Sequence, residues 1–151
     1  MRFSSQCLAA ALAVLAASSA RAEEWRTSSA QDGVDLIASF KHVDGVTMQV
    51  VCDTAKHQLS ITYQEPKANW QTGSGMDVIV LPDSGQQASP SYGFVTAPNE
   101  FIMKHDVAFD LWTLRQAKGS FKMSVGDHAR VFPTANLEGA MAPVLKACGA
   151  Q

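Results

Sequence analysis

The sequence has no run of lysine or arginine, no C-x-x-C, no paired histidines and no apolar stretch of bilayer length. Each absence excludes something. Without a basic cluster, nucleic acid and anionic membrane surfaces are poor partners on charge grounds. The four histidines, His42, His57, His105 and His128, never stand as H-x-H, H-x-x-x-H or H-E-x-x-H, so no local spacing asks for a metal. The longest apolar run, Cys7 to Ala17, falls well short of the ~20 residues that span a bilayer. Cysteine is scarce, with 3 in 151 residues.

What is present begins with an export signal. Arg2 supplies a positive start, and the apolar run follows. Ala20-Arg21-Ala22 matches the A-x-A pattern of a cleavage site, and charge resumes at Glu23 and Glu24. Residues 1–22 therefore read as a secretory signal peptide, with cleavage after Ala20 as the competing site. Residues 23–151 read as one globular domain with no membrane span, long enough to bury a core of its own. Removing Arg2 and Arg21 leaves this domain net acidic, with its charges scattered.

Cys7 leaves with the signal, and Cys52 and Cys148 remain. In an oxidising compartment an isolated pair usually bonds. The alternative, a redox or metal pair, lacks a C-x-x-C, and the nearest histidine, His57, is five residues after Cys52.

The middle of the chain reads as short strands broken by turns. Val34–Phe40, Val46–Cys52 and Leu59–Tyr63 form an expected antiparallel meander. Residues 64–75 are a longer loop. Met76–Leu81 follows as a strand, and Pro82-Asp83-Ser84-Gly85 as a turn. Tyr92–Val95 and Phe101–Met103 are expected to pair as a hairpin. So are Ser120–Val125 and Ala129–Phe132.

Two helices are expected. Val107, Leu111 and Leu114 share one face of the first, with Asp106 as its cap and Gly119 as its stop. Leu137, Ala140, Met141, Val144, Leu145 and Cys148 form an apolar stripe on the second. Asn136 or Thr134 can cap it, and Gly149 ends it. Pro143 conflicts with this helix, because an interior proline removes a hydrogen bond and clashes one turn back. The helix is therefore kinked at Pro143 or begins later. The stripe puts Cys148 on the buried face, so a bond to Cys52 would tie the helix to the meander. The expected fold is α+β: a mainly antiparallel, curved or sandwich-like sheet with a short helix and a tethered C-terminal helix. Strands grouped together argue against a Rossmann-type domain.

No catalytic set emerges. Gly73-Ser74-Gly75 lacks the G-x-S-x-G pattern and precedes a strand rather than joining strand to helix. Asp127-His128 has no matched nucleophile. Asp106, Asp110 and Glu100 are candidate acid–base carboxylates by type alone. Met103 with His105 is too small a set for a soft metal. No cofactor is expected. The loop at 64–75, with Tyr63 at its entry, carries the candidate binding residues: Tyr63, Lys67 and Trp70, an aromatic pair beside a cation near Pro66 and Asn69. The competing expectation is that Trp70 folds back over the sheet edge. Trp25, on the first strand, and Trp112, on the helix flank, are expected to be packing residues.

The segments LWTLRQAK, ARVFP and NLEGAMAPVLKACG resemble small bacterial envelope proteins, namely invasion-associated locus B-like proteins and periplasmic proteins associated with type VI secretion. The resemblance covers roughly the last third of the chain and the strand around Cys52. It implies a periplasmic setting and a terminal cysteine bonded to a central strand, which here would be Cys52 to Cys148. No catalytic residue comes with it. The expectation is a non-enzymatic periplasmic binding module, an inhibitor or envelope-complex accessory, whose partner is a protein or envelope component. Secretion beyond the periplasm remains compatible. The alternative is a hydrolase or metal-binding protein with a site assembled from dispersed residues.

Overall fold

The computed structural model describes residues 23–30, 33, 35–85, 89–104 and 107–150. The expected signal segment, Val34, His105 and Asp106 lie outside these, and with them the cap assigned to Asp106 and the roles considered for His105 and Asp106.

The elements run β1 (Arg26–Ser29), β2 (Leu36–Lys41), β3 (Thr47–Asp53), β4 (Gln58–Gln64), β5 (Gly75–Pro82), β6 (Ser89–Ala97), β7 (Glu100–Met103), α1 (Val107–Arg115), β8 (Ser120–Val125), β9 (His128–Pro133) and α2 (Leu137–Ala147). Among the described residues, nine strands form one antiparallel sheet in the order β1-β2-β3-β4-β7-β6-β5-β8-β9. The fold is thus α+β, built on a single open sheet.

Alternation along the strands defines the inner face. Met48, Val50 and Cys52 of β3, Val78 and Val80 of β5, and Phe121, Met123 and Val125 of β8 are all buried. Side chains of a strand alternate between faces, so these positions share one side of the sheet. Both helices contribute to the same core. α2 packs on β1, β2 and β3 through Leu137, Ala140, Met141 and Val144, and α1 packs on β4, β5 and β6.

The sheet is curled enough to bring its far ends together. Trp25, immediately before β1, meets the chain immediately after β9. Its backbone N–H donates to Ala135 O (3.1 Å), its indole Nε1 donates to Pro133 O (2.8 Å), and its own carbonyl accepts from Asn136 Nδ2 (2.9 Å). A second tie joins His42 Nε2 to Val131 O at 3.0 Å. Aromatic rings fill the space between. Phe132 stacks on Phe121 at 5.4 Å and meets Phe40 edge-on at 5.7 Å, and Trp25 lies 5.7 Å from Phe40. Trp25 therefore belongs to the closure of the sheet rather than to the first strand. The expectation for Trp112 is also corrected: this side chain is 53% exposed on α1.

α2 runs through Pro143 and does not begin after it. Pro143 and Gly139, one turn earlier, both face solvent, so the carbonyl that loses its N–H partner lies where water can reach it. Asn136 occupies the N-cap position in a left-handed conformation and makes no side-chain cap hydrogen bond. Its amide is used instead to hold Trp25. A Cβ at residue 139 would collide with the Asn136 side chain, so glycine there leaves room for this tie.

Asp83, in the turn after β5, gathers the loop between α1 and β8. Its carboxylate accepts from the backbone N–H groups of Lys118 (2.7 Å), Gly119 (2.9 Å) and Ser120 (2.9 Å). These donors, Lys118 foremost, hold its pKa below the ordinary 3.8. A depressed carboxylate contributes stability that is complete above its unfolded pKa and is lost as pH falls through the folded one. Asp83→Asn is therefore expected to lower the denaturation midpoint at pH 7 and to flatten the loss of stability below about pH 4. Urea titrations of both proteins between neutral and acid pH measure this. Parallel pH profiles would show that the turn does not depend on the charge.

Candidate functional site

The three residues singled out in the binding loop do not form one surface. Tyr63 is fully buried near the end of β4, and its ring lies 6.3 Å from Phe132 and 6.2 Å from Trp70. Trp70 folds back as a half-buried plug against Phe101 (6.5 Å) and His128 (5.5 Å, edge-on). The loop is fixed there by Trp70 N–H to Pro98 O (2.7 Å) and Glu65 N–H to Asn99 O (3.0 Å). Lys67 is exposed.

Beneath that plug lies a charged group that the sequence did not announce. Glu65 is fully buried and meets Arg130 of β9 at 2.9 Å. The Tyr63 hydroxyl donates to the same carboxylate oxygen (3.3 Å), and Asp44 lies 3.9 Å from the guanidinium. Burial, reinforced by the Glu65 charge, pushes the Tyr63 phenol upward, so it stays protonated and donates. Burial opposes the Arg130 charge most strongly, but the hydrogen bond to Glu65 and the charges of Glu65 and Asp44 together outweigh it and raise its pKa. The pair spans the curl of the sheet, from the exit of β4 to β9. Its geometry fits a structural clasp, with the buried Glu65 carboxylate paired to a partly exposed Arg130.

The dispersed chemical candidates stay dispersed. Ser74 Oγ donates to Gln71 O (2.7 Å) and closes its own turn. Glu100 accepts from Gln64 Nε2 (2.9 Å) and Thr96 Oγ1 (2.6 Å), while Asp110 is buried on α1 and accepts from Ser91 Oγ (2.6 Å). His42 ties the sheet ends, His57 lies 3.4 Å from Ala147 O, and His128 packs on Trp70 beside the exposed Asp127 (3.5 Å). Among the described residues, no three of His, Cys, Asp and Glu converge as metal ligands. A surface concavity of about 430 Å³ is lined by Glu23, Glu24, Arg26, Ser39, Lys41 and His42. Four of its polar side chains are paired among themselves, in Arg26–Glu24 (3.3 Å) and His42–Glu23 (3.6 Å).

The surface that stands out is the outer face of β8, β5 and β6. Ile79 (48% exposed) and Leu81 (42%) project from β5, and Tyr92 (50%) and Phe94 (46%) from β6. Pro90, opposite Ile79, is also exposed. Tyr92 and Phe94 meet edge-to-face at 5.4 Å. The Tyr92 ring lies over Gly75, where a Cβ would coincide with its hydroxyl. The two aromatics are thus held in place while staying half exposed. A contiguous apolar patch of this kind marks an interaction surface more often than a scatter of single residues does. Sequence reasoning passed over it. The signal was β5 itself, where Val78-Ile79-Val80-Leu81 is apolar on both faces rather than alternating.

Cys52 of β3 and Cys148 at the end of α2 form the disulfide, with Cα atoms 5.7 Å apart. No helix among the described residues is long and apolar enough to cross a membrane. No protein-family model, curated protein or solved structure matches this chain.

Proposed function

We propose that this chain is an exported, non-enzymatic interaction module of the bacterial periplasm. It acts by contact with a protein or envelope component rather than by chemistry on a substrate. The observation that carries this reading is the outer face of β5 and β6, where four apolar side chains on adjacent strands remain exposed. Leaving such a face in water is unfavourable, and covering it releases that cost on association. The A-x-A signal pattern supports the periplasmic setting, and so does a disulfide between the two cysteines left after cleavage. The resemblance to locus B-like and type VI secretion-associated envelope proteins points to the same compartment. An inhibitor or an accessory of an envelope complex is the form this module takes.

The test is crosslinking and capture from periplasmic extract, with the wild-type chain and a Tyr92→Ser/Phe94→Ser variant compared side by side. Wild type is expected to retain a reproducible partner that the variant loses at least tenfold, as for removal of two aromatic anchors worth about 1–2 kcal/mol each. Equal capture by both would remove the face from the reading. Turnover of any substrate by the purified chain would replace the reading with an enzymatic one.

A further inference from the structure

We infer that the outer face of β8, β5 and β6 binds a second copy of this chain, forming a symmetric dimer. The inference rests on the reading of that face as an interaction surface, and it names the occupant.

The register supplies the argument. Ile79 of β5 pairs with Ser124 of β8 on one side and Pro90 of β6 on the other. Two residues along the strand in one direction, Leu81 pairs with Lys122 of β8. Two residues in the other direction, Asp77 pairs with Tyr92 of β6. All these positions alternate with the buried Val78, Val80 and Met123, so they share the outer face. Lys122 and Asp77 therefore lie diagonally across the Ile79–Ser124 pair, on neighbouring strands. Both are exposed, and among the described residues neither has an ion-pair partner.

A twofold axis lying in the plane of this face, midway between Lys122 and Asp77, exchanges the two positions. It sets Lys122 of each copy against Asp77 of the other, so the contact forms twice. It brings the two Ile79 side chains together at the centre and lays Tyr92 over the opposite Leu81. That is the requirement of an isologous interface: a single patch complementary to itself. A different partner carrying one sign of charge would attract one of these two residues and repel the other. A second copy satisfies both. Tyr92, held on Gly75 and against Phe94, is already fixed for contact, which reduces the ordering cost of association.

The face is small. Three strands spaced by about 4.8 Å give less than the roughly 800 Å² per partner of a standard interface. The expected dimer is therefore weak, with a dissociation constant on the order of 10–100 µM.

Sedimentation equilibrium of the processed chain, from about 1 µM to about 1 mM, tests this across the range that the expected affinity requires. Wild type is expected to pass from monomer to dimer. Lys122→Glu and Asp77→Lys are surface changes that keep the fold, which circular dichroism checks. Each alone is expected to weaken association about tenfold, because like charges then face each other twice. An equimolar mixture of the two variants is expected to recover wild-type association, since each then meets the opposite sign on its neighbour. A wild-type chain that stays monomeric at the highest concentration overturns the inference, and so does a mixture as weak as either variant alone. Capture from periplasmic extract separates this failure from that of the broader reading. If the chain is monomeric but Tyr92→Ser/Phe94→Ser loses a captured protein, the second copy is excluded and the interaction surface stands. If neither self-association nor capture depends on the face, both fall.

Discussion

Replacing Cys52 and Cys148 together by alanine is expected to destabilise the fold by about 3–5 kcal/mol, among the largest effects available in this chain. The bond joins residues 96 apart in sequence. In the chain-entropy account, opening a loop of that length returns roughly 4–5 kcal/mol of freedom to the unfolded state. The folded state loses less. Cys148 lies at the C-cap of α2, after the buried stripe of Leu137, Ala140, Met141 and Val144. Those side chains still hold the first two turns of the helix on β1, β2 and β3. The double variant is therefore expected to remain folded at room temperature with a much lower urea midpoint and an unchanged near-ultraviolet spectrum. Hydrogen exchange should rise most in the last turn of α2 and in β3 near Cys52. Reducing agent applied to the wild type should reproduce the shift. A loss under about 1 kcal/mol would mean that packing alone seats α2, and that the bond contributes little to the folded–unfolded balance.

Much of this architecture was legible in the chain. The meander of β2, β3 and β4 follows from a mostly apolar run, a β-branched run and, in Leu59-Ser60-Ile61-Thr62-Tyr63, a clean alternation. The apolar stripe of α2 placed Cys148 on the buried face, and that fixed where a disulfide had to run. β1 was not legible: Arg-Thr-Ser-Ser has no apolar alternation, and all four residues are exposed. It is a strand because β2 beside it presents an unpaired edge, a tertiary cause that no local pattern carries. The Glu65–Arg130 pair was hidden for a related reason. A glutamate after a strand and an arginine in a hairpin look like surface residues until the curl of the sheet brings them to 2.9 Å. Trp70 was legible as two alternatives, a contact residue among polar neighbours or a large aromatic folded back over the sheet edge. The second holds: backbone bonds at Pro98 and Asn99 fix the loop, and the indole packs against the core. The exposed face was missed because the strands were read for what they bury. Ile79, Leu81, Tyr92 and Phe94 matter through what they leave uncovered.

Trp25→Ala is expected to cost about 3–5 kcal/mol, the range for truncating a large buried aromatic. The ring is completely buried against Phe40 and Phe121, so its loss leaves a cavity in the aromatic core. It also leaves Pro133 O without the indole donor, on an edge strand where Val131 O is held by His42. Trp25→Phe separates the two contributions. Phenylalanine keeps most of the packing and lacks the N–H, so the loss is expected to fall to about 1–2 kcal/mol. Both variants keep Trp70 and Trp112 as fluorescent reporters for urea titration. The position of the residue adds a second consequence. Trp25 follows the expected cleavage point at Ala22 by only three residues, and its backbone bonds to Ala135 and Asn136 would pin the start of a chain cleaved there to the end of β9. A chain shortened to begin at Arg26 is therefore expected to lose at least as much stability as Trp25→Ala, and to exchange amide hydrogens fastest in β1 and β9. Equal stability of the shortened and full chains would show that the other ties close the sheet, with His42 and the Glu65–Arg130 pair sufficient to hold β9 against β2 and β4.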